Sequence, residues 1–104
     1  MTAARSEHEA FMARALELAA SAYALGEIPI GAVVVQAGEI VGEGYNRSIT
    51  DLDPSAHAEM VAIRQAAQRL GNYRLVDCTL YVTVEPCTMC TGLLVHARIQ
   101  RLVF

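Results

Sequence analysis

The stretch from Cys78 to Phe104 constrains this chain more than any other. CTLYVTV (Cys78 to Val84) reads as a buried strand, Glu85-Pro86 breaks it, a helix follows from about Cys87 to His96, and Ile99 to Phe104 reads as another strand. Two strands joined by one helix lie parallel in a sheet, because the crossover returns the chain to its starting end, and such crossovers are right-handed. The remaining elements must build on that unit. A chain of 104 residues provides one domain, residues 1–104, with no room for a second core.

Upstream, Ser6 and Glu9 read as a capping box. Behind it Phe11, Met12, Ala15, Leu16, Ala19, Ala22 and Tyr23 recur at helical spacing. Gly26 ends that helix and Pro29 prevents its resumption. Ile30 to Val35 is a short buried strand, and the turn Gln36-Ala37-Gly38-Glu39 leads to a second strand near Ile40–Tyr45. Asp53-Pro54-Ser55 turns into a helix ending at Leu70-Gly71, with Met60, Ile63, Ala67 and Leu70 on one face. The expected architecture is α/β, a mixed sheet with helices on both faces. The last strand is apolar and has no ending of its own, so the chain is expected to be part of a longer protein.

With 54% hydrophobic and 18% charged residues, a disordered or acidic-tail chain is excluded. No apolar run approaches the ~20 residues that cross a bilayer. The N-terminal stretch lacks a signal-peptide core and carries Glu7, Glu9 and Glu17, so a cytoplasmic protein is expected. The net charge is −3, and every basic residue is arginine. Acids concentrate before residue 54 and arginines after it, so a polyanionic partner fits the second half. Arginines scattered on solvated helix faces account for the same count. Cys78, Cys87 and Cys90 are an odd number of thiols, which argues against a disulfide framework and for metal or redox chemistry.

That chemistry rests on His57-Ala58-Glu59 and Pro86-Cys87-Thr88-Met89-Cys90, each at the start of a helix. Cys87 and Cys90, three apart, share a helix face and can reach one ion. The helix N-terminus is expected to lower their thiol pKa. With the neutral imidazole of His57 they form a Cys2His set, which leaves a zinc ion one place open for water, the mark of a catalytic site. His57 and Glu59 point about 200° apart on a regular helix. They converge only if the helix begins near His57 and the metal lies off its end. Glu59, left unligated, is then placed to shuttle protons. Other readings stay open: a capping or surface role for His57, a thioredoxin-like redox pair at Cys87 and Cys90, a closed zinc site with Cys78, or a non-catalytic zinc- or RNA-binding module. Cys78 sits about 20 Å from Cys87 along an extended strand, which weakens the closed site.

H57-A-E59 together with P86-C-T-M-C90 resembles the signature of the zinc-dependent nucleoside and nucleobase deaminases. Within them the chain is most similar to the bacterial tRNA-specific adenosine deaminases, through EIPIGAVVV, GEGYNRS, DPSAHAEMVAIRQA, NYRLVDCTLYVTVEPCTMC and HARIQRLVF. The resemblance implies a cytidine-deaminase-like three-layer α/β/α fold, with a C-terminal helix–strand–helix beyond Phe104. It implies one Zn2+ per chain on His57, Cys87 and Cys90, with Glu59 as proton shuttle and Asn46 hydrogen-bonded to the target base. The implied reaction is hydrolytic deamination of adenosine to inosine at the wobble position, with a tRNA anticodon stem-loop as partner and a homodimer built on helices near the metal. Free cytosine or guanine as substrate is the alternative within the same chemistry. Arg47, Arg64, Arg69 and Arg74 are candidate phosphate contacts, while His8 and His96 read as surface or helix-packing residues and Cys78 as a buried strand thiol.

Overall fold

A computed structural model describes residues 5–104. Along the chain run α1 (Arg5–Ala24), β1 (Gly31–Gln36), β2 (Glu39–Tyr45), α2 (Ala58–Leu70), β3 (Cys78–Val82), α3 (Thr88–Ala97) and β4 (Arg101–Val103). The sheet order is β2-β1-β3-β4. β1 is antiparallel to both β2 and β3, and β3 pairs in parallel with β4, as the crossover through α3 requires.

Strand side chains alternate between two cores. Val33, Val35 and Tyr81 meet Phe11, Met12 and Leu18 of α1 on one face. Ala32, Val34, Leu80 and Val82 meet Ala62, Ile63 and Ala66 of α2 and Leu94 and Ala97 of α3 on the other. Three layers, α/β/α, follow from that division, the architecture expected from the sequence.

Several boundaries differ from the sequence reading. Ser6 lies inside α1 rather than capping it, and near it Arg5 pairs with Glu9 one turn on. The buried stripe of α1 is Ala15, Leu18, Ala19 and Ala22, while Leu16 and Tyr23 face outward, 56% and 73% exposed. Leu18 belongs to the series 11, 15, 18, 22; Leu16 and Tyr23 fall on the next row round the helix. β3 stops at Val82 because Thr83 turns to clasp β1: its N–H donates to the Gly31 carbonyl (3.1 Å), and its hydroxyl accepts from the Gly31 N–H (3.2 Å). β4 is shorter than expected because the Ile99 N–H donates back to Leu94 in α3 and the Gln100 N–H to Cys78.

The seam that aims α2 is made of very small residues. Ala58, Ala62 and Ala66 lie against Gly42 and Gly44 of β2. A Cβ added at Gly44 would stand 2.5 Å from the Ala58 carbonyl and 2.6 Å from the Ala62 N–H, both of them backbone. Gly44→Ala is therefore expected to lower stability by about 2 kcal/mol and Tm by about 10 °C, read by calorimetry; an unchanged Tm would show that α2 is free to shift. At its far end α2 stops at Gly71, whose φ of 68° is left-handed and whose N–H returns to the Ala67 carbonyl.

Candidate metal centre

Two helix starts and one loop build the site. His57 is the N-cap of α2 and Cys87 the N-cap of α3, both with extended backbone, and neither side chain caps its own helix. That frees both side chains to turn outward from the helix ends. His57 Nδ1 lies 3.6 Å from the Sγ of Cys87 and 3.6 Å from the Sγ of Cys90. The three donor atoms all fall within 4.8 Å of one another.

Those separations fit zinc. With Zn–N about 2.0–2.1 Å and Zn–S about 2.3 Å, the N···S edge of a tetrahedron is about 3.6 Å. Among the described residues no further His, Cys, Asp or Glu joins the group, so the fourth tetrahedral corner is not a protein ligand of those types. Cys78, the proposed closing ligand, is buried in β3 with its thiol directed at the Val76 carbonyl. His57, Cys87 and Cys90 fit one Zn2+ per chain.

The electrostatics carry one correction. Burial, and after it the neighbouring Glu59 carboxylate, push the Cys90 thiol well above its ordinary value. The lowering expected from the start of α3 loses to desolvation, because Cys90 is fully buried inside the helix's first turns. A thiolate there needs a compensating cation, which is what a dication provides.

Glu59 sits in the first turn of α2, 3% exposed, and close enough to Cys90 to act on its thiol. The helix begins immediately after His57, the start that the sequence geometry requires. Asn46 is also buried, and its Oδ1 accepts the Ala58 N–H at 2.8 Å. It thus supplies the cap that His57 withholds, and its side-chain NH2 is left as the donor.

The arginines do not gather at this site. Arg47 is tied to Asp51 at 3.0 Å and to the Tyr45 hydroxyl at 3.0 Å, and Arg64 stands 3.7 Å from Asp53. Arg69 donates to the Ile40 carbonyl, about 18 Å along α2 from His57, and Arg74 lies over the Tyr73 ring. His8 bonds the Tyr81 hydroxyl at 2.7 Å, a helix-packing role, and His96 is exposed on α3. Glu27 escaped the sequence reading. It is buried, and its carboxylate accepts from Ile49 and Thr50 in the loop that runs from Asn46 to His57. A cavity of about 720 Å³ between α1 and the sheet, lined in part by Glu7, Gln36, Asp77 and Tyr81, shares no residue with the metal cluster.

The comparisons agree with this geometry. The chain is 60% identical over 102 residues to a tRNA-specific adenosine deaminase of Haemophilus influenzae, covering 96% of this chain and 59% of that protein. It is 44% identical over 99 residues to the protein of the same name in Bacillus subtilis, covering 95% of this chain and 62% of that one. The chain thus spans about three-fifths of the length of these relatives. A solved structure from work on A-to-I editing by tRNA:A34 deaminases superposes with a TM-score of 0.90 at 47% identity, covering 92% of this chain and 74% of that one. A structure described as guanine deaminase from Bacillus subtilis gives 0.89 at 46%, covering 92% and 62%. The family model for the cytidine and deoxycytidylate deaminase zinc-binding region matches residues 5–104 and, with His57, Cys87 and Cys90 drawn to one point, the chain belongs to that family.

Proposed function

We propose that the protein hydrolyses adenosine to inosine at the wobble position of a tRNA anticodon, releasing ammonia. The observation that carries this is the 60% identity to a tRNA-specific adenosine deaminase across nearly the whole chain. His57, Cys87 and Cys90 would hold Zn2+, whose bound state supplies a water activated near neutral pH. Glu59, shielded from solvent beside that cluster, takes a proton from the attacking water and delivers it to adenine N1, then carries the proton of the newly formed C6 hydroxyl to the amino group, which departs as ammonia. Asn46 donates from its side-chain NH2 to the target base, since its carbonyl oxygen is already held by Ala58. The base reaches these groups only when splayed from the anticodon loop.

Residues 1–104 are taken as one deaminase domain, supported by one sheet with a core on each face. A homodimer through α2 and α3 is supported by an apolar groove of about 220 Å³ between them, lined by Ile63, Ala67, Tyr73 and Leu93. No described helix is long and apolar enough to cross a membrane, and a tRNA substrate supports a cytoplasmic reading.

A second reading, guanine deamination, is favoured by the likeness to the Bacillus subtilis structure described as guanine deaminase. Parallel ammonia-release assays on an anticodon stem-loop and on free guanine and cytosine decide between them. The expected result is release from the stem-loop alone, with inosine at the wobble position. Turnover of a free base without turnover of the RNA would replace the substrate. Disulfide reduction by metal-free protein would support a thiol oxidoreductase instead.

A further inference from the structure

The loop from Asn46 to His57 begins and ends at the metal centre. Its neck is closed by Asn46 Oδ1 on the Ala58 N–H (2.8 Å) and by the Arg47 N–H on the Ala56 carbonyl (2.9 Å). The tip of this closed loop, Ser48 to Asp53, is folded on itself by the Asp51 N–H on the Arg47 carbonyl (2.8 Å) and the Asp53 N–H on the Ser48 carbonyl (3.0 Å). The tip carries strain: Leu52 has a φ of 52°, left-handed for a γ-branched side chain, and is 90% exposed. That conformation persists only where neighbouring contacts impose it.

Two residues reach the tip from outside the loop, Arg64 at Asp53 (3.7 Å) and, with closer contacts, Glu27. Glu27 is 6% exposed, in the segment between α1 and β1. Its carboxylate accepts from the Ile49 N–H at 3.2 Å, the Thr50 N–H at 2.7 Å and the Thr50 hydroxyl at 2.7 Å. The same segment continues to Ile30, whose carbonyl accepts the Asn46 N–H at 3.2 Å. One short strip of chain therefore braces both the neck and the tip of the loop. The Thr50 hydroxyl and N–H donors, opposed by burial, hold the Glu27 carboxyl below its ordinary value, as expected of a carboxylate used as an acceptor.

We infer that Glu27 is a positioning residue for substrate: through Thr50 it fixes the 48–53 tip of the loop whose two ends carry Asn46 and His57, a rigid rim against which the nucleotides flanking the reacting base are ordered. This rests on the tRNA-adenosine reading above. Glu27 touches neither the metal ligands nor the reacting atoms in this scheme, so its loss weakens RNA binding and spares the chemical step.

The test is steady-state kinetics on an anticodon stem-loop RNA with zinc-loaded protein, alongside metal content. Glu27→Gln sets an amide NH2 against donor groups, and is expected to raise KM about tenfold with kcat within about twofold and zinc unchanged. Thr50→Val is expected to raise KM about threefold, Thr50→Ser to restore it, and the Glu27→Gln/Thr50→Val pair to be no worse than Glu27→Gln alone. Unchanged KM in Glu27→Gln, additive effects in the pair, loss of kcat at constant KM, or loss of zinc would each overturn the positioning role. An active parent protein with any of those results removes this inference alone, whereas a zinc-loaded parent that leaves the RNA unchanged removes the functional reading beneath it and this inference with it.

Discussion

Glu59→Gln is expected to slow ammonia and inosine release by about a thousandfold while one zinc per chain stays bound. The substitution keeps the shape of the side chain and removes only its capacity to accept and return a proton. Glu59 is not among the three donor atoms that lie within 4.8 Å of one another, so metal binding has no reason to weaken. Its place in the first turn of α2 is set by backbone that the amide does not disturb. Removing its negative charge also relieves one of the causes that hold the Cys90 thiol protonated, so zinc uptake should be no poorer than in the parent. Metal analysis on the assayed sample checks this directly. A zinc-free Glu59→Gln protein would make Glu59 a ligand and overturn its assignment as proton carrier.

Cys90→Ala is expected to do the opposite, emptying the site while leaving a folded chain. Two remaining donors, His57 and Cys87, make only half a tetrahedral shell, and the content after dialysis should fall from about one zinc per chain to less than about a tenth. Because metal bound to the native state adds stability by mass action, a chelator should lower the Tm of the parent by about 10 °C and leave the variant unmoved. The alanine vacates a buried position where an uncompensated thiol is held above its ordinary pKa, so the metal-free variant should melt close to the metal-free parent. Full zinc retention in Cys90→Ala would show that the ion is held elsewhere.

The metal cluster was legible in the sequence because its chemistry is local. A histidine and two cysteines at helix starts leave few ways to face one another, and the crossover from Cys78 onward fixed which strands lie side by side. The contact between α2 and β2 was harder to see. Met60, Ile63, Ala67 and Leu70 drew attention by size, whereas the surfaces that touch most closely are Ala58, Ala62 and Ala66 against Gly42 and Gly44, residues with almost no side chain to register in a hydrophobic pattern. The alternation of two glycines in one strand with alanines at every fourth helix position was the available signal. Asn46 hid a second role for a similar reason: its cap on Ala58 joins residues distant in sequence and leaves no spacing to read. Glu27 looked like any acid after a helix-ending glycine, and only the folded path of the 46–57 loop gives it partners.

His57 and Cys87 both stand just outside their helices, at the caps rather than along the barrels. Two of the three ligands consequently stand clear of helical phase, and Cys90 depends only on the first turn of α3: lengthening α2 or α3 by a few residues at its C-terminal end, or rewriting its solvent face, rotates nothing that grips the ion. A lineage carrying this arrangement can remodel its outer surfaces for new partners, one mutation at a time, with the chemical heart untouched.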